Sequence, residues 1–376
     1  MLEDTYAHSP MKKMFDEADV YGIGYDQERA GKPVIRLAII GTGGVAQSKH
    51  IPAIMRLKTI WEPIDLVGIS VRNPAQGKKV ESMYRVKWYA DYREMLNVEK
   101  PDGVMILSPD GVHFEHAMEC MKRGIHVLVE KPITRSLVQS RQLCEFAESH
   151  RLILMTVSNK RYSPPYLRAR NSGLDRPAMF VAKFNLGYKY VDILEGGTIH
   201  IFDLARYFMG DVESVSALGV RMYDFNETQY PFDNAVINLR FTSGAVGNIY
   251  TSSTALSLKP WERVEIYMKK RWIAIEDQKT LIINDGEQDG SKVFEPVFPN
   301  TLIFDEEFGG FMGLIENFVE CIRGIAKPLV TGWDGHRAYE LAVATHLSVK
   351  RGEKVILPLD NATADAELDS YRLTWK

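Results

Sequence analysis

A chain of 376 residues can hold two domains with a buried core in each, and its 45% apolar and 25% charged residues are ordinary globular values. A formal net charge of -3 and the lack of a long Lys/Arg run exclude the electrostatic footprint expected for nucleic acid or an anionic membrane surface. Small dissolved partners are expected instead.

Residues 1–33 read as an extension outside the fold: they are polar, carry Gly22, Gly24 and Gly31, and end in Gly31-Lys32-Pro33. A loosely ordered arm is the plain reading. Met11, Met14, Phe15, Val20 and Tyr21 give it apolar points that would pack on a partner subunit or at a substrate mouth. The N-terminus has Glu3 and Asp4 but no apolar leader core, and no apolar stretch reaches transmembrane length. Cys120, Cys144 and Cys321 show no CxxC spacing, so they read as buried thiols rather than disulfides or metal ligands, and the expected compartment is the cytoplasm.

From Val34 the pattern becomes strand, turn, helix. Val34 to Ile40 is apolar apart from Arg36, as expected for a strand buried on both faces. Gly41-Thr42-Gly43-Gly44-Val45-Ala46 follows directly. The first glycine allows a tight turn, the second lets the backbone approach a pyrophosphate, and Ala46 is the small residue where helix meets strand. Backbone N–H groups at the helix start would bind the phosphates. Leu66 to Ser70 is a second strand, Gly103 to Leu107 a later one and His126 to Val129 another, each separated by a helix-length segment. This alternation predicts an α/β domain over residues 34–156 with a parallel, doubly wound sheet of the Rossmann dinucleotide-binding kind.

The second strand ends in Ser70-Val71-Arg72-Asn73 with no carboxylate for a ribose 2′-OH. Ser70 and Arg72 suit a 2′-phosphate, with Lys78 and Lys79 close by, so NADP is expected over NAD. The plainer alternative makes Arg72 a solvated turn residue in a permissive site. After the fourth of these strands comes Glu130-Lys131-Pro132, where Lys131 stands at a strand's carboxyl end, beside the crevice in which doubly wound folds bind ligands.

These segments together resemble the glucose-fructose oxidoreductase, inositol dehydrogenase and rhizopine catabolism family (Gfo/Idh/MocA) of NAD(P)-dependent sugar and cyclitol oxidoreductases. The likeness covers roughly residues 34 to 358. Its motifs are the Gly41 to Ala46 loop, Ser108-Pro109-Asp110-Gly111-Val112-His113, and Gly124 to Pro132. Downstream, Ser158-Asn159-Lys160-Arg161-Tyr162-Ser163-Pro164, Gly196-Gly197-Thr198-Ile199-His200-Ile201-Phe202-Asp203-Leu204 and Gly335-His336-Arg337-Ala338 also fit. The resemblance implies a second α/β domain over residues 157–376 with a large, mostly antiparallel sheet. One sheet face would meet substrate and the other often a partner subunit, as in a homodimer or homotetramer.

It also implies site residues. The cofactor would be held by Gly41, Thr42, Gly43, Gly44, Val45, Ala46, Ser70, Arg72, Ser108, Pro109, His113, Glu130, Lys131 and Arg161. Lys131 and His200 would be catalytic, because oxidising a secondary alcohol by hydride transfer requires removal of the hydroxyl proton. Asp203 or Asp192 would orient the imidazole; Asp203 reads equally well as a helix N-terminal residue favoured by the macrodipole. Asn159, Tyr188, Asp192, Lys131 and His200 would meet the substrate, and with Arg161, Tyr162, Lys189 and Tyr190 they make a polar and aromatic set suited to a polyhydroxylated ligand. One departure stands out: where the family commonly has Asp, four residues before the histidine, this chain has Gly196. Asp192 or Glu195 would then stand in, or Lys131 and His200 would act alone.

Other chemistries find little support. The nine histidines show no HExxH spacing, so no metal is expected, and no serine elbow is present. Met312 to Ile322 has an amphipathic pattern that suits packing. Two readings remain: a dehydrogenase or reductase of sugars or cyclitols, and a non-catalytic nucleotide sensor of the same fold, motivated by Gly196 and the N-terminal arm.

Overall fold

The computed structural model describes residues 31–59, 62–185, 192–222, 230–255, 259–286, 290–295 and 309–375. Most of the N-terminal extension, and Tyr188, Lys189 and Tyr190, lie outside them. The chain divides into two compact units, one formed by Met1–Glu130, Leu143–Tyr162 and Phe304–Gly332, the other by Lys131–Gln142, Ser163–Ile303 and Trp333–Lys376.

The first unit is built on six parallel strands: β1 (Ile35–Ile40), β2 (Ile64–Ser70), β3 (Trp88–Tyr89), β4 (Gly103–Ile106), β5 (His126–Val129) and β6 (Leu154–Thr156), in the order β3-β2-β1-β4-β5-β6. The order reverses direction between β1 and β4, the switch point at which such sheets bind ligands. Strands buried on both faces need unbroken apolar runs, and Leu37, Ile39, Met105, Leu128 and Met155 are fully enclosed. Local chemistry fixes the connecting helices. The Asn73 carboxamide accepts from the Ala75 and Gln76 N–H groups at 3.0 and 3.2 Å, Pro74 opens the helix Pro74–Tyr84, and left-handed Arg85 ends it. The helix Phe311–Ile322 completes this core with Leu314, Ile315, Phe318 and Val319, as its amphipathic pattern suggested. It approaches β4 so closely that a Cβ on Gly103 would lie 2.8 Å from the Ile322 side chain.

The second unit carries a nine-stranded sheet: β7 (Met179–Phe184), β8 (Val212–Val220), β9 (Asn234–Phe241), β10 (Val246–Ser252), β11 (Glu262–Met268), β12 (Arg271–Glu276), β13 (Thr280–Asn284), β14 (Lys292–Phe294) and β15 (Val355–Ile356). Among the described residues only β7 and β10 pair in parallel; the other ladders are antiparallel, as the resemblance implied. Alternate residues face inward, and Phe180, Ile237, Phe241 and Ile249 form one core with Phe202 of the helix Ile199–Met209 and Leu347 of the helix Gly332–Arg351. On the outer face the register aligns Leu218, Val236 and Tyr250 in one row across three strands, all exposed. Cys120, Cys144 and Cys321 are buried free thiols, and no helix of the described residues is long and apolar enough to cross a membrane.

Candidate active site

In the first unit the Gly-rich loop leaves β1 and enters a π-helical turn, Ala46–His50, followed by the helix Ile51–Thr59. Gly41 has φ +96°, and a Cβ there would lie 2.5 Å from the Ser108 nitrogen and 2.6 Å from the Leu107 carbonyl oxygen. No L side chain fits, so the loop can lie against the end of β4 only with glycine. Gly43 and Gly44 are exposed with open space where a Cβ would project. The first N–H groups of the helix have no intrahelical acceptor and attract an anion. The loop is braced from below: the Thr42 carbonyl accepts from the Gln47 side chain at 2.7 Å and from Gln76 on the helix after β2. The Thr42 hydroxyl is buried and makes no hydrogen bond among the described residues, a group that a bound phosphate would satisfy. The cradle therefore fits a dinucleotide.

Its flanks follow. At the β2 tip Ser70 is buried and Arg72 exposed, while the Trp88 indole donates to the Val71 carbonyl at 2.9 Å. At the β4 tip, His113 is buried with Nε2 2.8 Å from the Ser108 carbonyl oxygen, and the Ser108 hydroxyl meets His116 Nδ1 at 3.0 Å. Burial pushes the pKa of His116, on the helix His113–Lys122, below its ordinary value. At the β5 tip, Glu130 Oε1 lies 2.9 Å from Nε2 of fully buried His50, which also meets the Phe311 ring edge-on. Arg161 and Asn159 are both buried; Arg161 donates to the Leu329 carbonyl and Asn159 to that of Gly309.

Lys131, the next residue after Glu130, opens the second unit. It is half-buried, and its Nζ donates to the Gly196 carbonyl at 2.7 Å. Gly196 lies in a π-helical turn, Leu194–Thr198, that runs directly into the helix Ile199–Met209. The turn presses against the sheet, since a Cβ on Gly197 would sit 2.5 Å from the Phe184 ring. Half-buried His200 follows Gly196 by four residues, roughly 6 Å of helical rise, and Asp203 is buried one turn further on.

The carboxylates nearest in sequence have other work. Asp192 Oδ1 accepts from the Leu194 and Glu195 N–H groups at 2.8 and 3.0 Å and faces buried His346 Nε2 at 3.3 Å. Burial works to raise its pKa, but the His346 ring and the two backbone donors outweigh that and hold it below the usual carboxylate range. Glu195 pairs with Arg372, whose guanidinium lies 3.2 Å from the Tyr339 hydroxyl. Burial raises the Glu195 pKa, offset only in part by Arg372. Asp192, Glu195 and His346 offer ligand atoms within 4.8 Å of one another, but Arg372 already supplies the positive charge there. So Lys131 donates to a backbone oxygen of this turn, that of Gly196.

Sequence reasoning missed Gln47, Gln76, His50, His346 and Arg372. Asp192 and His346 stand 154 positions apart, and nothing local announces the pair.

A family model described as an oxidoreductase family with an NAD-binding Rossmann fold matches residues 35–158, and its companion for the C-terminal alpha/beta domain matches residues 193–357. The chain belongs to the Gfo/Idh/MocA oxidoreductase family. Among its relatives, the myo-inositol 2-dehydrogenase of Thermotoga maritima is 28% identical, covering 86% of this chain and 98% of that protein. The scyllo-inositol 2-dehydrogenase (NAD(+)) of Bacillus subtilis is 26% identical, covering 78% and 90%. Two solved Gfo/Idh/MocA-like folds are levoglucosan dehydrogenase in complex with NADH and levoglucosan, at TM-score 0.76 and 17% identity over 86% of this chain and all of that one, and the UDP-N-acetylglucosamine 3-dehydrogenase of Acidithiobacillus ferrooxidans, at 0.72 and 22% over 84% and 98%. The residues matched by the NAD-binding Rossmann model include the cradle of the first unit.

Proposed function

We propose that this chain interconverts a hydroxyl and a carbonyl on a sugar, sugar derivative or cyclitol, with NADP preferred over NAD. The carrying observation is the Lys131 ammonium held at the Gly196 carbonyl, in the turn that leads to His200. When bound, the nicotinamide supplies a hydride acceptor, or a donor in the reverse direction. Lys131 steadies the substrate oxygen with its cation, and His200 takes the hydroxyl proton as the hydride leaves the same carbon. The substrate class rests on relatives named as inositol, apiose and glucoside dehydrogenases.

NADP preference rests on the β2 tip, where exposed Arg72 and buried Ser70 stand without a carboxylate. A charge-assisted hydrogen bond to a phosphate contributes about 1.5–3 kcal/mol, so Arg72→Ala is expected to weaken NADP at least tenfold more than NAD. Self-association through the outer sheet face belongs to the same reading, supported by the Leu218, Val236 and Tyr250 row. So does a reducing compartment such as the cytoplasm, which suits three buried free thiols.

The test is to incubate the protein with NADP and separately with NAD across aldoses, sugar acids and inositols, following nicotinamide absorbance. Turnover, faster with NADP, is the expected result. Nucleotide binding without turnover on polyols, or on the matching keto sugars with NADPH, would replace this reading with a non-catalytic sensor.

A further inference from the structure

The helix Asn361–Arg372 lies in the second unit, and two side chains on one of its faces reach the two segments that meet at Lys131. Asp365 and Arg372 are seven residues apart, two helical turns, and so project on the same side. Asp365 takes the chain just downstream of Lys131: its carboxylate accepts from the Ser136 hydroxyl at 2.6 Å and from the Leu137 and Val138 N–H groups at 2.8 and 3.0 Å. Leu137 and Val138 open the helix Leu137–His150, and Ser136 immediately precedes it. Arg372 takes the turn that receives Lys131: it pairs with Glu195, the neighbour of Gly196, and its Nη1 lies 3.5 Å from the Arg135 carbonyl oxygen. One helix therefore ties down both the segment that carries the ammonium and the segment that carries its acceptor.

A carboxylate partner can follow a moving ammonium by rotating its own side chain, whereas a carbonyl partner moves only with the main chain. With Gly196 as an acceptor, a shift of that backbone turn carries one anchor of the Lys131 ammonium with it. That turn is π-helical, a geometry that persists where its surroundings impose it. Its surroundings are Asp192, whose carboxylate and carbonyl accept the Leu194, Glu195 and Gly196 N–H groups, and the Glu195–Arg372 pair.

We propose that Asp365 and Arg372 are positioning residues for Lys131, which makes the C-terminal helix a working part of the catalytic apparatus. The inference rests on the reading of Lys131 as the group at the substrate oxygen. A misplacement of about 1 Å at a reacting group costs on the order of 10²-fold in rate.

Two measurements on the full chain test it. The first needs no substrate: limiting acetic anhydride is applied and acetylation at Lys131 is quantified by peptide mass spectrometry against exposed lysines. Arg372→Met and Asp365→Asn should each speed Lys131 acetylation several-fold, and Arg372→Lys should return it toward the parent rate. The second uses NADP and whichever polyol of the screen is turned over fastest. Arg372→Met should lower kcat ten- to a hundredfold and displace a limb of the pH–rate profile, with the NADP Kd within twofold. Should Arg372→Met not fold, Arg372→Lys and Asp365→Asn carry the same comparison. Unchanged Lys131 reactivity in the folded variants overturns the proposal, as does a kcat that falls only in step with the number of NADP-binding molecules. Lys131→Met separates the two readings: if it keeps turnover, the role of Lys131 fails and this inference with it, and if it loses turnover while Arg372→Met keeps it, the inference alone fails.

Discussion

A lysine that donates to a backbone oxygen, as Lys131 does to that of Gly196, has an anchor that moves only with the main chain. Lys131 donates to the neutral Gly196 carbonyl at 2.7 Å, and on the proposed reading its ammonium also meets the substrate oxygen. Removing that charge should be felt in the transition state far more than in nucleotide binding. Lys131→Met is expected to lower kcat by roughly 10²–10⁴-fold while the NADP Kd, read by fluorescence titration, stays within twofold; retained turnover would remove Lys131 from the mechanism. At this scale the candidates were legible beforehand. Glu130-Lys131-Pro132 and the Gly196 to Leu204 segment named Lys131 and His200, because a motif is a string of side chains. The Gly196 carbonyl was not legible, since every residue has one and only the fold selects which is used. His346 and Arg372 were hidden for a related reason: their partners Asp192 and Glu195 lie far away in the chain.

Among elements, the β1 strand with its loop is specified most completely by its own residues. Gly41 meets two demands at once, a positive φ and a Cβ-free approach to Ser108. The backbone term alone costs about 1–2 kcal/mol for any other L residue, and the steric conflict adds to it. Gly41→Ala should therefore lower the melting temperature and weaken NADP at least tenfold; calorimetry with isothermal titration checks both, and intact affinity would refute the close-approach argument. The pairing of the helices Gly332–Arg351 and Asn361–Arg372 is acid-sensitive instead. Glu367 is bound by Arg351 Nε at 3.0 Å and by Lys350 at 3.3 Å, and hydrogen bonding to Arg351 brings its pKa down from 4.5 to about 2. A depressed carboxylate contributes stability that is fully present above its unfolded value and is lost as pH falls through the folded one. The parent chain should thus lose this contribution between about pH 4.5 and 2, and Glu367→Gln should flatten that part of the stability curve. Solvent screening keeps the size below about 1 kcal/mol, and identical acid curves for the two proteins would discount the pair. Strand alternation and turn chemistry made the Gly-rich loop and four of the six strands of the first sheet readable in advance, but not the short β3 and β6 at its edges. Of the second sheet, family likeness implied only that it is large and mostly antiparallel; its nine strands and their order were not legible, because antiparallel ladders join residues whose pairing no local pattern states.

At the level of the whole molecule, the outer sheet face offers the plainest test of assembly. Leu218, at 78% exposure, heads the apolar row that continues through Val236 and Tyr250. If copies of the chain cover that face, Leu218→Lys should shift the sedimentation mass toward a single chain, whereas an unchanged mass would place the contact elsewhere. The division into units carries a different consequence, one that concerns how the protein is made. The first unit takes its last segment, Phe304–Gly332, from far beyond Tyr162, and that segment brings Leu314, Ile315, Phe318 and Val319, all fully enclosed, to its core. A ribosome adding about 5–20 residues each second needs roughly 10–30 s to travel that interval. During that time the nascent nucleotide-binding unit has its six strands but not the helix that seals them, and its apolar floor is open to chaperones or to a neighbouring chain. The unit that begins first is thus finished only after most of the other has been synthesised, and neither can be obtained by a single cut of the gene.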